Sequence, residues 1–374
     1  MKLLDSMYIC TTPFQIMSAI SLVMSRKEKA DLYIDAQFEG AEELAERIRA
    51  RKIFQEIRVL KDVPCIKRVR EAGGQAARYK ALMSMYRNID AAAEELLIPE
   101  RSYRILYATH NVFVANIIML YISKRDILTK VFYFDDGEGS YDERDLFRTS
   151  LPDRMAKRFT LGKRKFRSVR RYYMYSPELF RSMHPENRLP VFRLPRFHSD
   201  PKILEAISDI FEAGEEKGIR EPVVILDVLR GVALSEEDSD RLEQLYGRLL
   251  KEFGEDRVVI KRHPRDTAEH VVSIKEYPYP TTPFEITCLA SDPSKMTLIT
   301  VLSTATTMPK MLMDKEPRIV LLYKLFRKKQ GTDGDRDHFF DMTRKIYDDP
   351  DRILIPETEE ELDQIIAKIR EELQ

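Results

Sequence analysis

The chain is poor in cysteine, with only Cys10, Cys65 and Cys288 among its 374 residues. Three cysteines that lie far apart offer neither a disulfide framework nor a CxxC metal-binding pair, and they are typical of a reducing compartment. Cys10 ends an apolar segment, so we expect it to be a core residue. The sequence therefore argues against a small disulfide-rich protein and predicts no metal site.

Long apolar runs are also missing. No stretch of 18 apolar residues occurs, and the opening MKLLDSMYICTTPF lacks the apolar run of a signal peptide. We expect no membrane span, no export by that route and a cytoplasmic location. Net charge is absent too, because 62 Lys and Arg balance 62 Asp and Glu. Global charge favours neither a nucleic-acid-binding protein nor an acidic tail.

Two nucleotide-binding motifs are absent as well. The chain has no GxxxxGK[ST] and no GxGxxG after an apolar segment, which argues against a P-loop NTPase and a dinucleotide-dependent enzyme. What the chain has is size and a balanced composition, 43% hydrophobic and 33% charged. A chain of this length is expected to form two domains of about 200 residues or fewer.

The most informative stretch is residues 131–140, which read VFYFDDGEGS. The β-branched and aromatic residues predict a buried strand that ends at Asp135, Asp136 and Gly137. In open α/β sheets, ligands bind outside the carboxyl ends of the strands, so these carboxylates are expected where a substrate binds. The alternative is an acidic turn, since Asp-Gly is a common turn pair.

The start of the chain has the same pattern. Residues 3–10 predict a strand, and Thr11, Thr12 and Pro13 follow it directly. Proline at the first helical position and a threonine N-cap predict a helix from Pro13 to about Met24, whose free N–H groups suit an anion or a sugar hydroxyl. The alternative is a simple helix start. Further strands alternate with helices, including a long one expected over residues 75–97, and this predicts a parallel sheet.

A second α/β unit follows a proline-rich segment. Residues 189–201 hold three prolines and indicate an interdomain connection. We predict one α/β domain over residues 1–195 and a second over residues 196–374, whose last helix is a candidate to pack back on the first domain. Ser235 and Asp238 resemble a capping box. The strands predicted in this unit are residues 223–228, 258–261, 297–302 and 318–323.

Polar groups follow the strands of this unit too. His263 follows one predicted strand, and the hydroxyls of residues 303–307 follow another. Hydroxyls and N–H groups at a helix start bind phosphate, and a protonated histidine can protonate a phosphate that leaves. Asp135 or Asp136 can accept the proton of an attacking hydroxyl. Together these groups indicate an inverting nucleotide-sugar glycosyltransferase. The alternative is a structural histidine.

One stretch, residues 154–171, is basic and contains no acid. A solvated surface is one explanation, and an anionic bilayer or a polyanionic glycan is another. A membrane or a glycan is favoured over a nucleic acid, because the rest of the chain is charge-balanced and carries no nucleic-acid-binding motif. Its nine basic residues are Arg154, Lys157, Arg158, Lys163, Arg164, Lys165, Arg167, Arg170 and Arg171.

In combination, TTPFQ, FDDGEG, the HPR after a strand and the late Ser/Thr cluster resemble bacterial lipooligosaccharide sialyltransferases of glycosyltransferase family 52, relatives of bacterial polysialyltransferases. The resemblance implies an α/β fold of the GT-B type, with two Rossmann-like domains facing a central cleft. It makes residues 1–195 the acceptor-side domain and residues 196–374 the nucleotide-sugar-binding domain. It implies metal-independent, inverting transfer of sialic acid from CMP-sialic acid to a hydroxyl of a lipooligosaccharide or capsular glycan, with no cofactor. The partners are then the donor and the glycan acceptor, with no nucleic acid, and a homodimer stays open.

The resemblance also implies roles for single residues. His263 is expected to contact the CMP phosphate and act as the acid, and Asp135 and Asp136 match the motif associated with the base. Glu285 is expected on the donor ribose, with a surface carboxylate as the alternative. The donor-binding residues are His263, Pro264, Arg265, Glu285, Ser303, Thr304 and Thr306. The acceptor-side residues are Thr11, Thr12, Gln15 and Gly137.

The chain departs from the family at one position. The family has a candidate base just after the first strand of the second domain, where this chain reads LDVLRGVALSEED. Asp227 is the nearest acid there and is either the base or a structural turn residue. The base is therefore Asp135, Asp136 or Asp227. A UDP- or GDP-sugar donor and a non-catalytic glycan-binding protein are the alternative functions, and the acceptor and linkage stay open.

Overall fold

The computed structural model describes residues 3–61, 63–109, 113–126, 128–137, 139–142, 169–229, 234–263, 266, 270–326 and 333–374. They pack as two compact units, Met1–Asp136 with Glu143–Ile210, and Gly137–Asp142 with Phe211–Gln374. Each unit is built on a parallel sheet. This confirms the predicted α/β class with two Rossmann-like domains, as in GT-B proteins, and the central cleft stays a prediction.

The first unit contains a sheet of seven parallel strands in the order β3-β2-β1-β4-β5-β6-β7. The chain builds outward from β1 to β3 and then returns to the other side of β1 with β4, so the switch point lies between β1 and β4. The strands are β1 Leu3–Cys10, β2 Ala30–Asp35, β3 Ile57–Leu60, β4 Ser102–Ala108, β5 Lys130–Phe134, β6 Arg171–Met174 and β7 Val191–Arg193.

Tyrosines form much of the core of this sheet. Tyr8 of β1 and Tyr107 of β4 stack with their ring centroids 4.3 Å apart. Their hydroxyls donate to the carboxylate of Glu28, at 3.0 and 3.3 Å. Apolar rings thus fill the space beside the strands while each polar tip keeps a hydrogen bond.

Helices connect these strands. The predicted single helix over residues 75–97 is wrong, because Asn88 leaves the helical conformation (φ −110°, ψ 51°) and divides it in two. The helices are α1 Pro13–Arg26, α2 Ala41–Arg51, α3 Pro64–Arg70, α4 Gln75–Arg87, α5 Ile89–Glu95, α6 Phe113–Arg125, α7 Gly139–Asp142, which belongs to the second unit, α8 Pro177–Met183 and α9 Pro201–Ile210.

The end of the first unit lies beyond the proline-rich segment. We predicted a boundary between residues 195 and 196, and the packing of the described residues divides the chain after Ile210. Residues 189–201 include strand β7, and α9 packs on α1 and α2. Arg47 fixes the end of α9 by donating from Nε to the carbonyl of Ile210 at 2.6 Å.

The second unit has five parallel strands in the order β12-β11-β10-β8-β9. The chain passes from β8 to β9 and then to β10 on the other side of β8, which places the switch point between β8 and β10. The strands are β8 Val223–Leu226, β9 Val258–Lys261, β10 Thr297–Thr300, β11 Arg318–Leu321 and β12 Ile353–Leu354.

The described residues of the second unit include five further helices. The last helix packs on the first of these, and Arg370 donates to Glu252 at 2.7 Å between them. Within the described ranges, every helix is too short or too polar to cross a bilayer. The helices are α10 Glu236–Phe253, α11 Phe284–Leu289, α12 Met308–Met313, α13 Asp333–Arg344 and α14 Glu359–Glu372.

Most of the basic stretch, up to residue 168, lies outside the described residues. Arg171 begins β6, and its guanidinium lies 5.3 Å from the ring centroids of both Phe132 and Phe192. The aromatic residues next to it belong to the core, because β6 is an interior strand. The membrane contact of residues 154–171 stays a prediction. The buried aromatics are Tyr172, Tyr173 and Tyr175.

Candidate active site

At the carboxyl end of β1, the predicted Thr-Pro helix start is confirmed. The side chain of Thr12 accepts the Gln15 N–H at 3.3 Å, and Pro13 is the first residue of α1. A threonine hydroxyl in this position satisfies one of the free N–H groups of the first turn. Thr12 therefore has a structural task, and its contact with an acceptor stays a prediction.

Gln15 links the start of α1 to the predicted catalytic acids. Its Oε1 accepts the N–H of Thr11 at 2.6 Å and the hydroxyl of the same residue at 3.2 Å. Its Nε2 donates to Oδ1 of Asp136 at 2.6 Å. Gln15 itself is buried, with an exposed fraction of 1%. The structure thus brings together, at the carboxyl edge of the first sheet, residues that lie 121 positions apart in sequence.

The two acids of the DDG sequence have different surroundings. Asp135 is fully buried, and its N–H donates to the carbonyl of Tyr173 while its Oδ2 accepts the N–H of Tyr175 at 3.0 Å. These bonds continue the pairing of β5 with β6. Asp136 is half-buried. Of the two carboxylates, Asp136 is therefore the one that a ligand can reach, and Asp135 holds the strand end in place.

Two neighbours of Asp136 complete this edge. Burial, and then the charge of Asp136, raises the pKa of the Cys10 thiol well above its usual value. Cys10 is fully buried, which confirms it as a core residue. Gly137 has a φ of +90°, and no atom lies within 4 Å of an added Cβ. Glycine is needed here because of the backbone conformation, which other residues rarely adopt.

In the second unit, predicted site residues follow three adjacent strands. Asp227 follows β8, His263 follows β9 after Lys261, and Ser303 follows β10. β8 lies between β9 and β10, so His263 and Ser303 lie on either side of the strand of Asp227. The strands that precede His263 and Ser303 are therefore separated by one strand and are not direct neighbours. Parallel strands end at one edge of the sheet, so all three positions lie along the carboxyl edge of the second sheet.

The hydroxyls after β10 are partly used by the backbone. The Ser303 side chain accepts the Ala305 N–H at 3.4 Å and caps a short 3₁₀ turn. Thr306 is buried, and its hydroxyl donates to the carbonyl of Ser303 at 2.9 Å. Ser303 is half-buried. The side chain of Thr304 lies outside the described part of the chain, and the predicted phosphate contacts stay a prediction.

His263 lies half-buried at the start of a turn. Its carbonyl accepts the N–H of Asp266 at 2.9 Å. Pro264 and Arg265 lie outside the described residues. The predicted contact of His263 with a donor phosphate is compatible with this place at the end of a strand, and it stays a prediction.

A buried lysine next to this turn was missed from the sequence. Lys261 is 6% exposed, its Nζ lies 4.7 Å from the ring centroid of Tyr277 and 3.5 Å from the carbonyl of Pro280. Burial lowers the pKa of Lys261 to about 8, although the charge of Glu285 opposes this. Burial raises the pKa of Glu285, which is half-buried in the first turn of α11. A lysine that ends the apolar strand VVIK was the available signal.

Asp227 lies in a buried polar network that we name the Asp227–His270–Glu243 cluster. Oδ1 of Asp227 accepts the hydroxyl of Tyr246 at 2.9 Å, and its Oδ2 lies 3.3 Å from Nε2 of His270. Nδ1 of His270 bonds Oε1 of Glu243 at 2.7 Å. With 0% of its side chain exposed, Asp227 fits the structural alternative better than the role of a base. No pattern in the sequence predicted this cluster.

No group of three or more His, Cys, Asp and Glu side chains in the described ranges has the arrangement of a metal site. The groups along the two carboxyl edges are a reachable carboxylate in the first unit, and an imidazole, a hydroxyl and a buried ammonium in the second. Such groups can accept a proton from a hydroxyl and neutralise a phosphate.

No protein-family model and no curated protein matches the chain. Solved structures do match it over nearly its whole length. A UDP-N-acetylglucosamine 2-epimerase is 11% identical at a TM-score of 0.47, covering 99% of this chain and 97% of that one. A Listeria monocytogenes protein assigned the same activity is 11% identical at 0.46, covering 100% and 97%.

An α,α-trehalose-phosphate synthase (UDP-forming) from Burkholderia vietnamiensis is 10% identical at a TM-score of 0.38, covering 99% of this chain and 100% of that one. At these identities and TM-scores, the likeness says nothing about the substrate of this chain. The fold assignment rests on the two parallel sheets themselves.

Proposed function

We propose that the protein is a metal-independent, inverting glycosyltransferase that transfers sialic acid from CMP-sialic acid to a hydroxyl of a bacterial surface glycan. The observation that carries the proposal is the bond from Gln15 to Asp136. It orients a reachable carboxylate at the carboxyl edge of the first sheet, after β5, which pairs with β4 next to the switch point. A general base must be fixed in this way to accept a proton as the bond forms.

In the proposed reaction, the acceptor hydroxyl attacks the anomeric carbon of the donor sugar. Asp136 accepts the hydroxyl proton while the new carbon–oxygen bond forms. The bond from the anomeric carbon to the phosphate oxygen breaks at the same time, and CMP leaves with the electron pair. Attack opposite to the leaving group inverts the anomeric centre. Asp135 supports Asp136 through the strand end and does not touch the acceptor.

His263 serves the leaving group in this proposal. A protonated imidazole neutralises the charge that grows on the CMP phosphate and can give it a proton. Ser303 and the groups around it bind the phosphate oxygens, and Glu285 binds the ribose hydroxyls. Lys261 lies buried beneath the donor side and counters the charge of Glu285. The sugar and the base of the donor rest on the sequence resemblance.

Calorimetry with CMP, UDP and GDP tests this proposal on the full chain. We expect CMP to bind at least about tenfold more tightly than the other two nucleotides. A preference for UDP or GDP rejects the sialic acid donor and keeps a glycosyltransferase with another nucleotide sugar. Absence of binding for all three nucleotides contradicts the proposed enzyme and favours a glycan-binding protein.

A further inference from the structure

The Asp227–His270–Glu243 cluster is almost completely closed to solvent. The exposed fractions of the side chains are 0% for Asp227, 4% for His270 and 9% for Glu243. Each nitrogen of the imidazole faces a carboxylate oxygen, at 3.3 Å on one side and 2.7 Å on the other. Burying two carboxylates is costly unless they are paired and hydrogen-bonded. His270 is thus the group around which both acids are arranged.

The chemistry of the imidazole ring determines how it bonds to the two carboxylates. Neutral imidazole has one N–H donor and one acceptor nitrogen, whereas protonated imidazole donates from both nitrogens. Carboxylates only accept. Nδ1 of His270 donates to Oε1 of Glu243 at 2.7 Å, whereas Nε2 lies 3.3 Å from Oδ2 of Asp227 in a charge contact without hydrogen-bond alignment. Tyr246 adds a hydroxyl donor to Asp227 at 2.9 Å and stacks obliquely beside His270, with the ring centroids 5.8 Å apart.

Asp227 contacts described residues on both sides of His263, namely Lys261 and His270. On one side, the N–H of Asp227 donates to the carbonyl of Lys261 at 3.0 Å, two residues before His263. On the other side, His270 lies against the side chain of the same Asp227. Glu243 then accepts the N–H groups of Val271 and Val272 through Oε2, at 3.0 and 3.1 Å.

The geometry points to His270 as a positioning residue that, through Asp227 and Glu243, fixes the place of His263 against the donor phosphate. This inference rests on the proposed function, because it needs a nucleotide that His263 contacts. His270 itself is closed to solvent and touches no substrate. It acts by fixing the backbone around position 270 against Asp227 and Glu243, so its loss should weaken the phosphate contact and leave the nucleoside contacts intact.

The test compares the affinities of CMP and cytidine, measured by calorimetry and by competition. The ratio of the two dissociation constants reports the phosphate contact alone. In His270→Gln we expect the affinity for CMP to fall about tenfold and the affinity for cytidine to stay within twofold of wild type. Glu243→Gln should give the same result, and it carries the test if His270→Gln fails to fold.

Glu316 offers a matched control in the same unit. Its carboxylate also accepts two consecutive backbone N–H groups, those of Asp348 and Asp349, and it also pairs with one cation, Lys310. It precedes β11, at the amino edge of the sheet. Glu316→Gln should lower the melting temperature without changing the CMP to cytidine ratio.

A double variant shows whether His270 acts through His263. When His263→Ala is already present, His270→Gln should cost no further CMP affinity. Full additivity of the two losses, or equal weakening of CMP and cytidine, overturns the inference and leaves a merely structural cluster. Unchanged CMP affinity in both His270→Gln and Glu243→Gln overturns it as well. Failure of the wild-type protein to bind any nucleotide is a different result, and it rejects the proposed function.

Discussion

Asp135 and Asp136 are adjacent and chemically identical, and only their surroundings separate them. Asp135 is enclosed by the backbone of β6, and Asp136 is half-buried and bonded to Gln15. A sequence pattern can predict that a strand delivers two acids to its end. It cannot tell which of them turns inward, because that depends on which neighbouring strand supplies the N–H groups.

Gln15→Met tests the orientation of Asp136. The change keeps an unbranched side chain and removes both the donor to Asp136 and the acceptor for Thr11. We expect kcat for transfer to fall about tenfold, because a poorly oriented base loses part of its effect. The buried Thr11 N–H loses its partner, so the free energy of unfolding should fall by about 1–3 kcal/mol. Donor affinity should stay unchanged.

Gln37→Met is the matched control for this change. Gln37, which follows β2, also donates its side-chain amide to a carboxylate at a strand end of the same sheet. The acceptor is Asp35, the last residue of β2, at 2.8 Å. We expect wild-type kcat for this variant. Equal kcat values for the two variants would show that the amide at position 15 has no special role.

The burial of Lys261 predicts how the free energy of unfolding depends on pH. Burial lowers its pKa to about 8, against an ordinary value of about 10.4. Between these two values the unfolded chain binds more protons here than the folded chain, so the contribution of this group to stability rises with pH. Relative to Lys261→Met, the wild-type free energy of unfolding should gain about 1.4 kcal/mol per pH unit above about pH 8.

Urea unfolding of the wild type and of Lys261→Met at several pH values, from about pH 7 to about pH 10, measures this difference. The contributions of the other titrating groups are the same in both proteins and cancel. Lys251→Met serves as the control, because Lys251 is exposed on α10. Its difference from wild type should be flat with pH. A flat difference for Lys261→Met as well would mean that the ammonium is not buried in the folded protein.

At the scale of elements, the local sequence was enough to predict single strands and helix ends. The strands β1, β5 and β9 are apolar runs closed by polar residues, and each forms where the sequence predicts it. The N-cap that Ser235 was predicted to provide for α10 is also confirmed, since its hydroxyl accepts the Asp238 N–H at 3.1 Å. The carboxylate of Asp238 accepts that hydroxyl, at 2.8 Å, in place of the backbone N–H that a capping box uses.

Ser235→Ala should lower the free energy of unfolding by about 1 kcal/mol, because the first turn of α10 loses its cap. Ser239→Ala is the control, since that hydroxyl only returns to the carbonyl of Ser235, at 2.9 Å. We expect the control to change stability by less than about 0.5 kcal/mol. Denaturant unfolding compares the two. Similar losses in both would argue against the cap.

Elements that depend on tertiary partners were not predictable in this way. The prolines of residues 189–201 suggested a linker, but Val191–Arg193 within this segment form the edge strand β7, which pairs with β6. A proline is tolerated beside an edge strand, which offers one free side. Asn88 interrupts a helical pattern that has no other break, and its non-helical backbone conformation leaves no trace in hydrophobic periodicity.

For the whole molecule, the alternation of strands and helices predicts two parallel sheets, and the order of their strands was beyond reach. That order places β8 between the strands of His263 and Ser303, and it brings Asp227 against His270. Contacts between residues that are distant along the chain decide such an arrangement. The Gln15–Asp136 bond and the Asp227–His270–Glu243 cluster are of this kind, and both were invisible in the sequence.

The central claim is that Asp136 and His263 serve one reaction as base and acid. The most direct test is a double-mutant cycle on kcat for transfer from CMP-sialic acid, with Asp136→Asn, His263→Ala and the double variant. We expect each single change to reduce kcat about 10²-fold or more, and the double variant to lose little beyond the worse single one, as groups acting in one step do. Wild-type kcat in either single variant, or losses that multiply in full, would contradict the claim.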